Sequence, residues 1–338
     1  MLNQNLKLNP EIFSPDVKQV PIRQGFGEGL VEAGKQNKQV VALVADLTES
    51  AKVDDFKKEF PDRFFEMGIG EQNMASVASG MAHMGKIPFI ASYAMFSPGR
   101  NWEQIRTTIA YNDVPVKIAG SHAGVSVGPD GGTHQAVEDI AITRVIPNMD
   151  VICPCDAIQA RKATIAVAKT NKPTYIRLSR EKTPIITTED TPFEIGKAYT
   201  YWTAKDDKPQ VGIIATGALL HKALKVADEL SKEGIEIEVL NAVTIKPLDV
   251  DAVVTLAKKS GKLITLEEHQ IIGGLGGAIA ETVSEHFPVT VIRLGVNDRF
   301  GQSGTPAELI EYYGMGEKDI KDAVLKLTKL TFKGSIRV

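Results

Sequence analysis

The sequence predicts an α/β fold in two domains, the first built on a parallel sheet with helices on both faces and the second a smaller α/β unit. Three observations predict it. Short apolar runs of strand length alternate with longer segments of helical spacing through the first half of the chain. A Pro- and Thr-rich stretch over 181–193 interrupts that alternation, and the pattern restarts near residue 211. With 338 residues the chain is long enough for two domains that each bury a core.

In the first half, the runs 39–47, 88–93, 114–122, 150–154 and 174–179 read as strands. The segments between them, 71–84, 101–111 and 157–170, carry the spacing of helices, and strands separated by helices pair in parallel. The stretch 181–193 has repeated Thr and Pro with no apolar periodicity, as a linker does. The second half continues with strands at 211–216, 236–240, 262–266 and 289–294 and helices at 218–232, 250–259 and 275–287. We therefore assign 1–190 to a first domain, its linker starting at about 181, and 195–338 to a second.

Composition narrows the function. Hydrophobic residues make up 43% and charged residues 24%, the balance of a globular enzyme. A net charge of −3 provides no basic face for nucleic acid, so anions must be held by a few placed residues. No run approaches the roughly 20 apolar residues of a membrane span, and the first 15 residues lack the apolar core of a signal peptide, so the expected location is the cytoplasm. Cys153 and Cys155, two apart on one strand face, are expected to be ordinary buried residues.

Several polar or amphipathic residues fall where predicted strands end, namely Asp46, Tyr93, His122 and Arg180, and clefts in parallel sheets open beyond the carboxyl ends of strands. The run Gly68-Ile69-Gly70-Glu71-Gln72-Asn73-Met74 places a carboxylate after a glycine-hinged turn and at the start of an apolar helix. Alone, such a glutamate complements the helix dipole. Pro129-Asp130-Gly131-Gly132 is turn chemistry followed by Thr133 and His134. Gly273-Gly274-Leu275-Gly276-Gly277 opens a helix but has no acidic residue ending a following strand at the distance a dinucleotide site needs, so it reads as tight helix–strand packing.

The ordered set Ala45-Asp46-Leu47, 68–74, Tyr93-Ala94-Met95-Phe96, His122 with 128–135, and Leu178-Ser179-Arg180 resembles the carboxyl-terminal portion of transketolase, over nearly the whole chain. The resemblance implies a thiamine-diphosphate-binding, pyrimidine-type first domain and a transketolase C-terminal domain. It implies that Glu71 is the carboxyl that hydrogen-bonds the cofactor's N1′ nitrogen, shielded from water, so that the 4′-amino group can deprotonate the thiazolium C2. Phe96 and Tyr93 would flank the pyrimidine, with Asp46 and Ile69 also on the cofactor. Asp130 would read the donor's hydroxyl configuration and His134 its carbonyl and hydroxyls. Arg23, Ser50, His122 and Arg180 match positions that grip a sugar phosphate, and Arg100 is a further substrate candidate. The usual third aromatic is replaced by Gly99, with one residue inserted before Arg106.

The family's Gly-Asp-Gly run and later Asn, which bind Mg²⁺ and through it the diphosphate, are not found in this sequence, so no metal ligand is assigned to it. The resemblance then implies a separate amino-terminal, diphosphate-binding subunit that holds Mg²⁺ or another divalent ion, in an α₂β₂ heterotetramer acting on sugar phosphates. A start at Met1 favours a separately encoded subunit over a fragment. The implied reaction is transfer of a two-carbon ketol unit from a ketose phosphate to an aldose, as in pentose phosphate metabolism. The alternatives are a 1-deoxyxylulose-5-phosphate synthase-like or 2-oxo acid dehydrogenase β-type subunit, or a non-catalytic assembly subunit.

Overall fold

A computed structural model describes residues 1–329, so the last residues of the second domain assignment lie outside the described ones. The first sheet has seven strands in the order Thr244–Lys246, Asp150–Ile152, Thr174–Arg177, Lys117–Ser121, Ile87–Tyr93, Val40–Val44 and Phe64–Glu66. All neighbours are parallel except the first pair. Every residue of Val40–Val44 and of Lys117–Ser121 is buried, because helices cover both faces. On one face Phe26 and Leu30 of helix Ile22–Gln36 pack with Ala160 and Ala163 of helix Ala157–Val167. On the other, Met74, Ala75 and Ala78 of helix Glu71–His83 pack with Ile105 and Ile109.

Helix Ile22–Gln36 has no counterpart among the predicted elements. Its glycines lower helix propensity, but they are what lets it lie close to its neighbour: a methyl on Gly25 would stand 1.8 Å from the carbonyl oxygen of Ala157. The predicted helix 101–111 begins as Trp102–Gln104 and then widens into π-type turns over Ile105–Ala110.

The stretch read as a linker is bound down along its length. Lys182–Pro184 pairs antiparallel with Gln19–Pro21. The amides of Ile186 and Thr187 donate to Asp156 Oδ2 at 2.8 and 2.6 Å, and the Thr187 hydroxyl donates to the same carboxylate. Burial pushes the Asp156 carboxyl up despite these donors.

The second sheet runs Thr290–Val296, Lys262–Gln270, Val211–Ala215, Ile237–Asn241, Tyr199–Trp202, the last strand antiparallel. Its helices Leu220–Lys232, Val250–Ser260 and Leu275–His286 occupy the predicted positions to within a few residues. A buried ion pair of the first domain also hydrogen-bonds the second domain's main chain. Arg177 Nε donates to Asp139 Oδ2 at 2.8 Å, and its Nη2 donates to the Glu268 carbonyl at 2.7 Å. Burial by itself opposes the charge on Asp139, but Arg177, His269 and the Tyr175 hydroxyl outweigh it and hold the carboxyl below its usual range. Among the described residues no helix is long and apolar enough to cross a membrane.

Candidate active site

Strand order decides what meets at the edge of the first sheet. Thr174–Arg177, Lys117–Ser121, Ile87–Tyr93 and Val40–Val44 are consecutive neighbours, so Arg180, His122, Tyr93 and Asp46 emerge side by side from their carboxyl ends.

Glu71 is the first residue of its helix and is only 1% exposed. Gly68, with φ +63°, makes the turn that brings it there. Its Oε2 accepts from Arg100 Nη1 at 2.7 Å and its Oε1 lies 3.5 Å from the Ser92 hydroxyl, while Asn101 Nδ2 donates to its carbonyl at 3.1 Å. Arg100, 46% exposed, also lies 4.8 Å from the centre of the Phe96 ring. A planar cationic group thus rests on the aromatic face and bonds the carboxylate at once. Ile69, two residues before Glu71, is 76% exposed.

Phe96 and Tyr93 stand parallel, with centroids 6.0 Å apart and an interplanar angle of 9°, and Tyr93 stacks on His122 at 3.8 Å. His134 presents its edge to both, 5.6 Å from Phe96 and 6.4 Å from Tyr93. Its Nδ1 bonds the Thr133 hydroxyl at 2.9 Å. Asp130, four residues earlier, is exposed.

His122 is buried with φ +55°. Burial, with Arg23 and Arg180 close by, lowers its pKa to about 3, so the ring is neutral at neutral pH. Arg23 Nη1 lies 3.4 Å from Nε2, and the Ser121 hydroxyl lies 3.0 Å from Nδ1 and 3.3 Å from the Ser92 carbonyl. An arginine can only donate, so Nε2 accepts and Nδ1 carries the proton. As a neutral ring, His122 contributes no charge of its own to this corner. It aims Arg23 instead.

Arg23 Nη1 donates to the backbone carbonyl of Ser50 at 2.6 Å, so the structure ties Ser50 to the corner through its main chain. Arg23 Nε is buried without a hydrogen-bond partner among the described residues. Arg180 Nη1 donates to the Val127 carbonyl at 2.7 Å and lies 3.7 Å from Glu181. Two guanidinium groups and a neutral imidazole thus gather beside Tyr93.

Sequence reasoning missed Glu66. Its Oε1 accepts from the amides of Asp46 and Gly68 at 2.8 and 3.1 Å, and its Oε2 from the Thr48 hydroxyl at 3.1 Å. One carboxylate therefore ties the loop that carries Asp46 to the turn that carries Ile69 and Glu71. An acid directly after the Phe64-Phe65 pair and just before the glycine turn would have been the signal.

These groups can hold a flat heteroaromatic ring that offers a hydrogen-bonding nitrogen. A buried carboxylate stands beside a parallel aromatic pair, and the guanidinium already there has that same planar, donor-bearing shape. Among the described residues, no group of three or more His, Cys, Asp or Glu could hold a metal ion. The Gly-rich turn at 273–277 is filled from within: Glu267 Oε2 and Oε1 accept from the amides of Leu275 and Gly276 at 2.6 and 2.7 Å.

Residues 18–185 match the family model described as transketolase, pyrimidine binding domain, and residues 200–320 that described as transketolase, C-terminal domain. The chain is 42% identical to a putative transketolase C-terminal section of Methanocaldococcus jannaschii, covering 91% of this chain and 96% of that one. It is 39% identical to a 6-deoxy-6-sulfo-D-fructose transketolase subunit of a Clostridium species, over 91% and 94%. A solved structure titled split gene transketolase, inactive beta4 tetramer, superposes with a TM-score of 0.84 at 42% identity, covering 93% of this chain and 99% of that one. With both domain types in order and relatives this similar over nearly their full length, the chain belongs to the transketolase family and is similar to its split, C-terminal members.

Proposed function

We propose that this chain is the pyrimidine-side half of a thiamine diphosphate-dependent ketol transferase, completed by an amino-terminal subunit in an α₂β₂ assembly in the cytoplasm. The single observation that carries the reading is Glu71: a carboxylate 1% exposed, at the rim of an aromatic cluster, whose side-chain partners are the half-exposed Arg100 and a distant hydroxyl. When bound, thiamine diphosphate supplies a thiazolium carbon that takes up the two-carbon unit and stores its electrons.

The chain's own residues would do the rest. Glu71 shares a proton with the pyrimidine N1′, and a carboxyl shielded from water does this without competition from solvent. Phe96 would offer a ring face to the pyrimidine, and the half-exposed Arg100 that rests on that face would yield its place. Asp46 and Ile69 complete the cofactor side. Asp130 and His134 meet the donor's oxygens. Arg23, aimed by His122 and by the Ser50 carbonyl, and Arg180 receive the anionic end of the sugar. Two guanidinium groups can receive either a phosphate or a sulfonate. Mg²⁺ and the diphosphate would be held by the amino-terminal partner.

The test mixes this chain with its amino-terminal partner, thiamine diphosphate and Mg²⁺, and follows xylulose 5-phosphate with ribose 5-phosphate, using pyruvate with glyceraldehyde 3-phosphate as the control. Ketol transfer is expected, and Glu71→Ala is expected to lower it by about 10²–10⁴-fold. Full turnover in Glu71→Ala would overturn the reading.

A further inference from the structure

The turn that carries Asp130 and His134 does not stand by itself. Residues Val125–Asp130 form short helical turns broken at Gly128, whose φ is +80°. The glycines that follow press the backbone against a segment of the second domain. A methyl on Gly132 would lie 2.5 Å from the carbonyl oxygen of Gly301, and one on Gly131 would lie 2.7 Å from Ser303 Oγ. One on Gly128 would meet the Pro306 ring at 3.2 Å.

Gln135, 2% exposed, threads the two pieces together. Its Nε2 donates to the carbonyls of Val125 at 3.0 Å and Gly128 at 3.3 Å within the turn, and to that of Gln302 at 2.9 Å in the second domain. Its Oε1 faces Gly301, where a methyl would come within 1.7 Å. The second-domain segment is itself firmly mounted. The Phe300 carbonyl accepts from the Tyr313 hydroxyl at 2.8 Å, the Arg299 carbonyl accepts from Gln270 Nε2 at 2.8 Å, and Thr305 with Glu308 forms a capping box on helix Pro306–Tyr312.

We propose that residues 300–306 of the second domain are the backing plate of the substrate turn, and that Gln135 is the positioning residue that sets where His134 and Asp130 stand. This rests on the reading of the site given above. It gives the second domain a share in donor recognition. A turn with two adjacent glycines has no stiffness of its own, and a displacement of about 1 Å at a group that meets the substrate can cost on the order of 10²-fold. The adjacent amide side chain removes that freedom by bonding the turn at two points and the plate at one.

Gln135→Glu keeps the side chain's size and replaces the donor with an oxygen that faces three carbonyls. In the full chain, hydrogen exchange of the 125–135 segment is expected to quicken at least about tenfold, the equivalent of losing even one of these hydrogen bonds. In the assembled complex with thiamine diphosphate and Mg²⁺, KM for xylulose 5-phosphate is expected to rise at least about tenfold. The acceptor KM and the cofactor Kd measured by calorimetry should stay within about twofold. Gly301→Ala, which pushes on the same amide from the other domain, should give the same pattern and serves if Gln135→Glu does not fold. Unchanged exchange, or quickened exchange with an unchanged donor KM, would overturn the proposal. Failure of the unmodified complex to bind thiamine diphosphate would overturn the cofactor reading instead, and the exchange data on the chain alone would still judge the clamp.

Discussion

Two helices of this molecule begin after glycine turns and beside a glutamate, one in each domain, and they are used differently. In the second domain Glu267 lies under helix Leu275–His286 with both oxygens on the helix's first amides, and burial pushes its carboxyl up despite those two donors. In the first domain Glu71 belongs to the helix it starts, and its oxygens point away from the helix amides toward Arg100 and Ser92 at the edge of an aromatic cluster. Glycines and an acid at a helix start are therefore not in themselves a site. What matters is whether the chain has already filled the position a ligand would take. Glu267 holds its own helix together, whereas Glu71 is held by a half-exposed arginine.

Substitutions can break this comparison in order of size. Glu71→Ala in the assembled enzyme should show the largest effect, the loss of turnover given above, with a urea midpoint close to that of the unmodified chain because the arginine it abandons is already half exposed. Glu267→Ala should do the reverse. It strands two buried amides and is expected to cost about 2–4 kcal/mol in urea unfolding, with specific activity of the folded fraction retained. A stable Glu267→Ala, or an unstable Glu71→Ala, would erase the distinction.

The glycines before the two acids sharpen it further. A methyl on Gly274 would stand 2.1 Å from Glu267 Oε2, whereas one on Gly70 meets nothing nearer than the Met67 carbonyl oxygen at 3.4 Å. Gly274→Ala should therefore cost about 1–3 kcal/mol and Gly70→Ala less than about 1, read as shifts in thermal midpoint.

A further effect concerns acid. The folded pKa of His122, about 3, lies below its unfolded value near 6.5, so the unfolded chain binds the extra proton between these values. The stability it contributes is complete above pH 6.5 and is lost as the pH falls toward 3. Urea midpoints measured across that window should fall less steeply in His122→Asn. An unchanged slope would mean that the imidazole is not held neutral.

Much of this was legible without coordinates. The alternation of strands and helices located both sheets, because strands buried on both faces must be apolar and the helices that cover them must be amphipathic. The motif around Glu71 and the aromatic pair were visible as spaced residue types. Helix Ile22–Gln36 was not, since its glycines argue against a helix until the close approach of Ala157 explains them. Strand Thr244–Lys246 reads locally as part of the second domain yet adds antiparallel to the edge of the first sheet, a pairing made only by docking. Glu66 looked like one surface acid among many. Its role depends on two loops that meet only when their strands lie side by side.

By itself, then, the chain's order of residues determined the strand and helix alternation and the two-domain plan, because these follow from local periodicity, and it offered the acid, the aromatics and the arginines as candidates through their resemblance to a family pattern. Only the tertiary structure decided that Arg100 covers Glu71, that His122 is neutral and aims Arg23, and that a second-domain segment bonds the turn at 125–135 through Gln135. Those are contacts between residues far apart in sequence. Their energies depend on distance, burial and donor–acceptor direction, none of which exists until the strands have taken their order in the sheet.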